Sequence, residues 1–172
     1  MKGEADLHFF TSDLHLGDSN IIHHEDRPFT SVDAMTDAII ANCRARLTVK
    51  DDLWIVGDFL RGADVELAER FFRRVPGRKH LIVGNHDRRT IRDLPDWTTV
   101  TTMVEMKADG QPVTLCHYPL MTWNGAGRGA DPASDERLSI QIFGHVHGQT
   151  SGWWRAVNVS VELWGYGPAS ID

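Results

Sequence analysis

Asp13 and His15 stand one residue apart in FTSDLHLGD (residues 10–18), and His145 and His147 repeat that spacing in GHVH. Between them in the chain come Asp58 of a GD pair, Asn85 and His86 of GNHD, and His117 of CHYP. The set holds two carboxylates, one amide and five imidazoles, and no cysteine. Oxygen and imidazole donors without thiolate suit Mn, Fe or Zn. So many donors exceed the needs of one ion, which points to a second. A carboxylate shared between two cations would hold them at the roughly 3.5–4 Å of two-metal sites. Such a pair clamps substrate oxygens and lowers the pKa of water, while an imidazole, with an ordinary pKa near about 6.5, can act as general acid.

These residues need elements to position them. Five segments share one design, a short apolar run that ends in polar residues: 7–15 (LHFFTSDLH), 52–58 (DLWIVGD), 79–87 (KHLIVGNHD), 112–119 (PVTLCHYP) and 139–148 (SIQIFGHVHG). Runs of this length that lead into Gly read as buried strands. Residues two apart on a strand project to one side, so the spacing predicts that Asp13 with His15, and His145 with His147, point together from strand ends. In open α/β sheets that edge is where ligands bind.

Residues 31–47 place Val32, Met35, Ile39, Cys43 and Leu47 at helical spacing, with Thr30 or Ser31 as N-cap. Residues 64–75 form a second helix behind Asp64, stopped by Pro76-Gly77. Strand and helix alternate here, as in parallel sheets with crossover helices. Later, 98–108 and 111–119 read as a hairpin turning at Asp109-Gly110, and 153–163 alternates like a late strand. The sheet content is therefore mixed. The Gly-rich stretch 121–138 reads as a long loop of the kind that often carries function.

The whole chain, 1–172, is expected to form one domain with a good core. Its apolar runs are too short to span a bilayer, and its N-terminus lacks the pattern of a secretion signal. Two cysteines make no disulfide framework, so a cytoplasmic location is expected. The net charge of −6 speaks against nonspecific coating of long nucleic acid.

In this order, SDLH, GD, GNHD, CHYP and GHVH resemble the motifs of the calcineurin-like metallophosphoesterase superfamily, and the chain is similar to its small single-domain bacterial and phage members. The resemblance implies a four-layer α/β sandwich, two mixed β-sheets flanked by helices. It also implies two divalent transition-metal ions, Asp13, His15 and His147 holding one, Asn85, His117 and His145 the other, and Asp58 bridging them. His86 would touch the phosphate and protonate the leaving oxygen. One departure stands out. Larger relatives carry a second Asp after GD that orients this histidine, and here Arg61 stands where that Asp is expected.

The expected activity is a phosphodiesterase acting on a small phosphoester or a nucleotide, cyclic ones included. The rivals are a phosphomonoesterase or protein phosphatase, a nuclease, and a metal-binding scaffold without catalysis. Asn20, His23, Trp123 and Arg128 are candidate substrate contacts, and Arg88 and Arg89 read as solvated surface unless one meets a phosphate. The oligomeric state stays open between monomer and homodimer.

Overall fold

The computed structural model describes residues 6–129 and 137–171. The first strand, β1 (His8–Thr11), leads into a short helix α1 (Ser19–His24) and then α2 (Val32–Arg46). There follow β2 (Asp52–Val56), α3 (Val65–Arg74), β3 (Arg78–Ile82), α4 (Arg89–Arg92) and β4 (Thr99–Thr101). The second half holds β5 (Met103–Ala108), β6 (Gln111–Cys116), β7 (Ile140–Phe143), β8 (Gly152–Trp153), β9 (Ala156–Asn158) and β10 (Ala169–Ser170), with 3-10 turns at His147–Gln149 and Val161–Trp164.

Two five-stranded sheets result, ordered β10-β1-β2-β3-β4 and β5-β6-β7-β9-β8. In the first, β1 to β4 run parallel and β10 is antiparallel to β1. In the second, β6, β7 and β9 are parallel, while β5 and β8 are antiparallel at the edges. Both expected helices form. Ser31 caps α2 by accepting from the Ala34 amide, and Asp64 caps α3 by accepting from the Leu67 amide. Asp109 and Gly110 both take positive φ, 51° and 81°, as the tight hairpin between β5 and β6 requires.

Alternation divides the first sheet's side chains between two cores. Phe9, Leu53, Ile55 and Leu81 pack with α2 and α3 residues such as Met35, Ile39, Ile40, Phe71 and Phe72. Their neighbours Phe10, Trp54, Val56 and Ile82 face the second sheet and meet Val113, Leu115 and Ile142. A sheet covered on both faces explains why its strands are continuous apolar runs.

The expected α/β fold of two mixed sheets with flanking helices is present. All the α-helices among the described residues pack on the first sheet, and Leu120, Trp123 and Ala126 lie against Phe143 and Ala156 of the second. Two expectations are corrected. Residues 98–108 are two strands, not one: β4 closes the first sheet and β5 opens the second, as Thr102 turns the chain between them. Residues 153–163 form no single strand. Positive φ at Gly152 and Trp154 breaks them into the tight β8–β9 pair, followed by the 3-10 turn. Part of the loop read at 121–138 lies outside the described residues, as does the extreme N-terminus.

Candidate metal centre

The eight chemistry-bearing residues meet where the two sheets' strands end, but not by the expected route. β1 stops at Thr11 and β7 at Phe143, so Asp13, His15, His145 and His147 lie beyond the ladders. Asp13, His15, Asp58, His145 and His147 have φ of 56°, 47°, 54°, 73° and 47°. Left-handed backbone, uncommon for residues with a side chain, turns these groups inward one after another. Cross-links hold the kinks in place: the Asp13 amide donates to Gly57 O, and the His15 amide to Asp58 O, each at 3.0 Å. Two motif glycines allow close approach. A Cβ on Gly57 would collide with the His117 ring, and one on Gly144 with Ser12 and Asp13.

Asp58 sits at the middle. Its Oδ2 lies 3.5 Å from His15 Nε2 and 3.5 Å from His117 Nε2, while Oδ1 accepts from the His86 amide at 2.9 Å. Burial pushes this carboxyl up, but His117, the His86 amide and His15 outweigh it and hold its pKa at about 2. His117 donates from Nδ1 to Val56 O at 2.9 Å, which leaves a lone pair on Nε2. That lone pair faces Asn85 Oδ1 at 3.1 Å and the Asp58 carboxylate. Three acceptors therefore converge with no donor among them. A cation resolves that arrangement, and a proton on His117 is the other way to do so. Burial lowers the His117 pKa, yet Asp58 and Asp13 overcome it and the net shift is upward.

Asp13 Oδ2 accepts from the hydroxyls of Ser12 at 2.7 Å and Ser160 at 2.8 Å, and the His145 amide donates to the same carboxylate at 3.0 Å. His147 donates from Nδ1 to Glu162 at 3.1 Å, so Nε2 presents its lone pair toward Asp13 Oδ1, 3.9 Å away. A carboxylate behind a ligating imidazole fixes its ring and tautomer. Burial lowers the His147 pKa, but Glu162 and Asp13 raise it further. His15 is 3% exposed, and neither of its ring nitrogens has a hydrogen-bond partner. Burial, against the opposing charge of Asp58, takes its pKa down to about 3, so the ring is neutral with a lone pair to give. Orphaned nitrogens of this kind fit a metal ion. Three groups of potential ligand atoms each lie within 4.8 Å of one another: Asp13–His15–His147 and Asp13–Asp58–His117 in the cluster, and Glu25–His147–Glu162 behind it. His145 and Asn85 are exposed at the rim, and the His145 ring lies 5.1 Å from that of His117.

His86 is partly buried beside this cluster, its ring 5.2 Å from that of His15. Its Nδ1 meets Arg61 Nη1, and since a guanidinium only donates, the imidazole hydrogen sits on Nε2. Arg61, at the position where the resemblance leads one to expect an Asp, is thus the side chain that contacts His86. Asp87 points elsewhere: its carboxylate accepts from the amides of Asp58, Phe59 and Gly84 at 2.8–3.0 Å and pins the GD loop to the GNHD loop.

Sequence reasoning missed Arg27 and Glu162. Arg27 is buried, donates to the carbonyls of Asp13 and Leu14, and pairs with Glu162. It sits in RPF after the first motif, and its only signal is a charged residue in an otherwise ordinary loop. The tentative substrate contacts are scattered. Asn20 and His23 are exposed on α1. Trp123 is buried over the second sheet, its indole donating to Ser139 O at 3.4 Å. Arg128 lies in the adjoining loop, its amide donating to Gly125 O. No hydrogen bond or ion pair joins Asn20, His23 or Trp123 to the cluster among the described residues.

No family model matches the chain. It is 30% identical over 188 residues to the Gene 66 protein of Mycobacterium phage D29, covering 91% of this chain and 88% of that one. It is 38% identical over 185 residues to the Gene 66 protein of Mycobacterium phage L5, covering 91% and 87%. The crystal structure of AQ665, a protein of unknown function from Aquifex aeolicus, shares the fold at a TM-score of 0.73 and 24% identity, covering 96% of each chain. The chain therefore belongs to the same family as these mycobacteriophage proteins, and its motifs, in order and with their residues gathered between two mixed sheets, resemble those of the calcineurin-like metallophosphoesterase superfamily.

Proposed function

We propose that this protein is a metal-dependent phosphoesterase that hydrolyses phosphodiesters, with a small phosphoester or nucleotide as substrate. The observation that carries the reading is the placing of Asp58, equidistant at 3.5 Å from His15 and His117, with the His86 amide on its other oxygen. Divalent cations held by Asp13, His15 and His147 on one side, and by Asn85, His117 and His145 on the other, would neutralise phosphoryl oxygens and acidify a water. Asp58 is the carboxylate both sides share. Ser12, Ser160 and Glu162 keep Asp13 and His147 aimed without substrate's help. For the reaction the ring first takes a second proton from solvent at Nδ1, as Arg61, half exposed, withdraws; the imidazolium then donates from Nε2, and that proton passes to the leaving oxygen as the P–O bond breaks, leaving the imidazole neutral. Hydrolysis of bis-p-nitrophenyl phosphate beside p-nitrophenyl phosphate tests this, in protein stripped of metal and reloaded with Mn²⁺. Metal-dependent turnover of the diester, lost in His86→Ala, is expected. Preference for the monoester would make the protein a phosphatase. Silence on both esters from metal-loaded protein would overturn the reading.

A further inference from the structure

Beside the metal cluster lies a second cavity, of about 670 Å³, lined by Arg61, Asn85, His86, Arg88, Arg89 and Thr90, with Gly62 and Asp87. It shares Asn85 and His86 with the centre, so it opens on the side where the leaving group departs. Its size is that of a nucleotide-sized group. Apart from the His86 imidazole, no aromatic or apolar side chain lines it, so it offers a base little to stack on. What it offers is charge. Three guanidinium groups surround it in a chain of net charge −6. The one carboxylate in its wall, Asp87, is turned away and spent on three backbone amides. Arg89 pairs with Asp93 at 3.1 Å, but both groups are more than half exposed, and such a pair exchanges readily. Arg61 lies 3.8 Å from Asp18, and Arg88 makes no ion pair among the described residues.

We infer that this cavity binds a second phosphate, carried by the leaving group of the substrate. The inference rests on the phosphoesterase reading and narrows it: the preferred substrate has two phosphoryl groups, the scissile one at the metal centre and another held by Arg88 and Arg89. Guanidinium forks match phosphate oxygens two at a time, which a net-negative protein surface elsewhere does not. The second phosphate is either the terminal phosphate of a short nucleotide chain, cleaved at its diester, or that of a bisphosphorylated mononucleotide, cleaved as a monoester, and both present the same dianionic group.

The test begins with binding. Calorimetric titration of Mn²⁺-loaded protein compares thymidine 3′,5′-bisphosphate with thymidine 5′-monophosphate. The bisphosphate is expected to bind at least tenfold more tightly, and the difference to shrink below threefold in Arg88→Ala/Arg89→Ala and to survive largely in Arg88→Lys/Arg89→Lys. Both arginines are exposed, so thermal melting should show the variants folded. Equal affinities in the wild type, no binding of either, or a preference that persists in the alanine variant, overturns the inference. Turnover of thymidine dinucleotides with and without a terminal phosphate then identifies the source. A lower KM for the phosphorylated dinucleotide, at similar kcat, assigns the second phosphate to a nucleotide chain. A preference confined to the bisphosphate assigns it to a mononucleotide. Neither bis-p-nitrophenyl phosphate nor p-nitrophenyl phosphate has a second phosphate to report on, so silence on both breaks the phosphoesterase reading alone.

Discussion

At one end of the cluster, Asp13 accepts from two hydroxyls and an amide, His147 leans on Glu162, and Arg27 ties Glu162 to the carbonyls of Asp13 and Leu14. At the other end, His117 is anchored by Val56 O, but Asn85 and His145 are exposed, and among the described residues the His145 ring packs against the rings of His117 and Tyr118 without a hydrogen bond to hold it. The first end is built without an ion. The second, in the proposed reading, would be completed by an ion and the substrate together. Preorganised donors bind a metal with less ordering cost, so the Asp13 end is expected to hold its ion tightly and the Asn85 end to exchange it.

Substitutions can break this contrast. Asp58→Ala, which removes the shared carboxylate, has the largest expected effect: turnover down by roughly 10³-fold or more and metal content below one ion per chain by elemental analysis. Full metal content in that variant would sink the bridging role. His86→Ala is expected to lower kcat by about 10²–10⁴-fold with metal content unchanged. Next comes Glu162→Gln, expected to weaken metal affinity by about 10–100-fold at the Asp13 end, where the carboxylate behind His147 is lost. Asn85→Ala should leave one tightly held ion and lose the second. If Glu162→Gln and Asn85→Ala weakened the same binding step, the two ends would not be distinct.

The smallest effects are those of pH. His15 has a folded pKa of about 3 against about 6.5 when exposed, so the unfolded chain binds the extra proton between those values. Metal-free protein should lose stability as pH falls from about 6.5 toward 3. Asp58, held at about 2, adds a contribution present above about 3.9 and lost as pH falls through 2. His117 and His147 are shifted upward, so the stability they add is present below about 6.5 and lost as pH rises through their raised values. A metal displaces those same protons, so its affinity should climb as pH rises toward those raised values and level off beyond them. Melting curves of the metal-free protein and metal titrations across pH 5–8 measure both, and an affinity independent of pH would count against His117 and His147 as ligands.

Much of the site could be read from the chain. The strands of the first sheet are buried on both faces, so they must be continuous apolar runs, and the residues that follow them must be the ones at the sheet edge. The helices over Val32–Arg46 and Val65–Arg74 were equally legible, because their caps and stripes are local. The second sheet was harder. Its strands are two to six residues long, and their ends depend on kinks at Thr102 and Trp154 that no residue type announces.

Sequence by itself determined which residues the structure brings together as candidate metal donors: donors are side-chain types, and type and order survive without coordinates. Only the tertiary structure decided how they are held. Arg27 and Glu162 lie 135 residues apart, as Asp13 and Ser160 lie 147 apart, and such contacts exist only once two sheets face each other. The same holds for the left-handed turns at five of the ligands. A strained φ at Asp or His carries no local mark, because the surrounding hydrogen bonds, not the residue's own preference, keep it there.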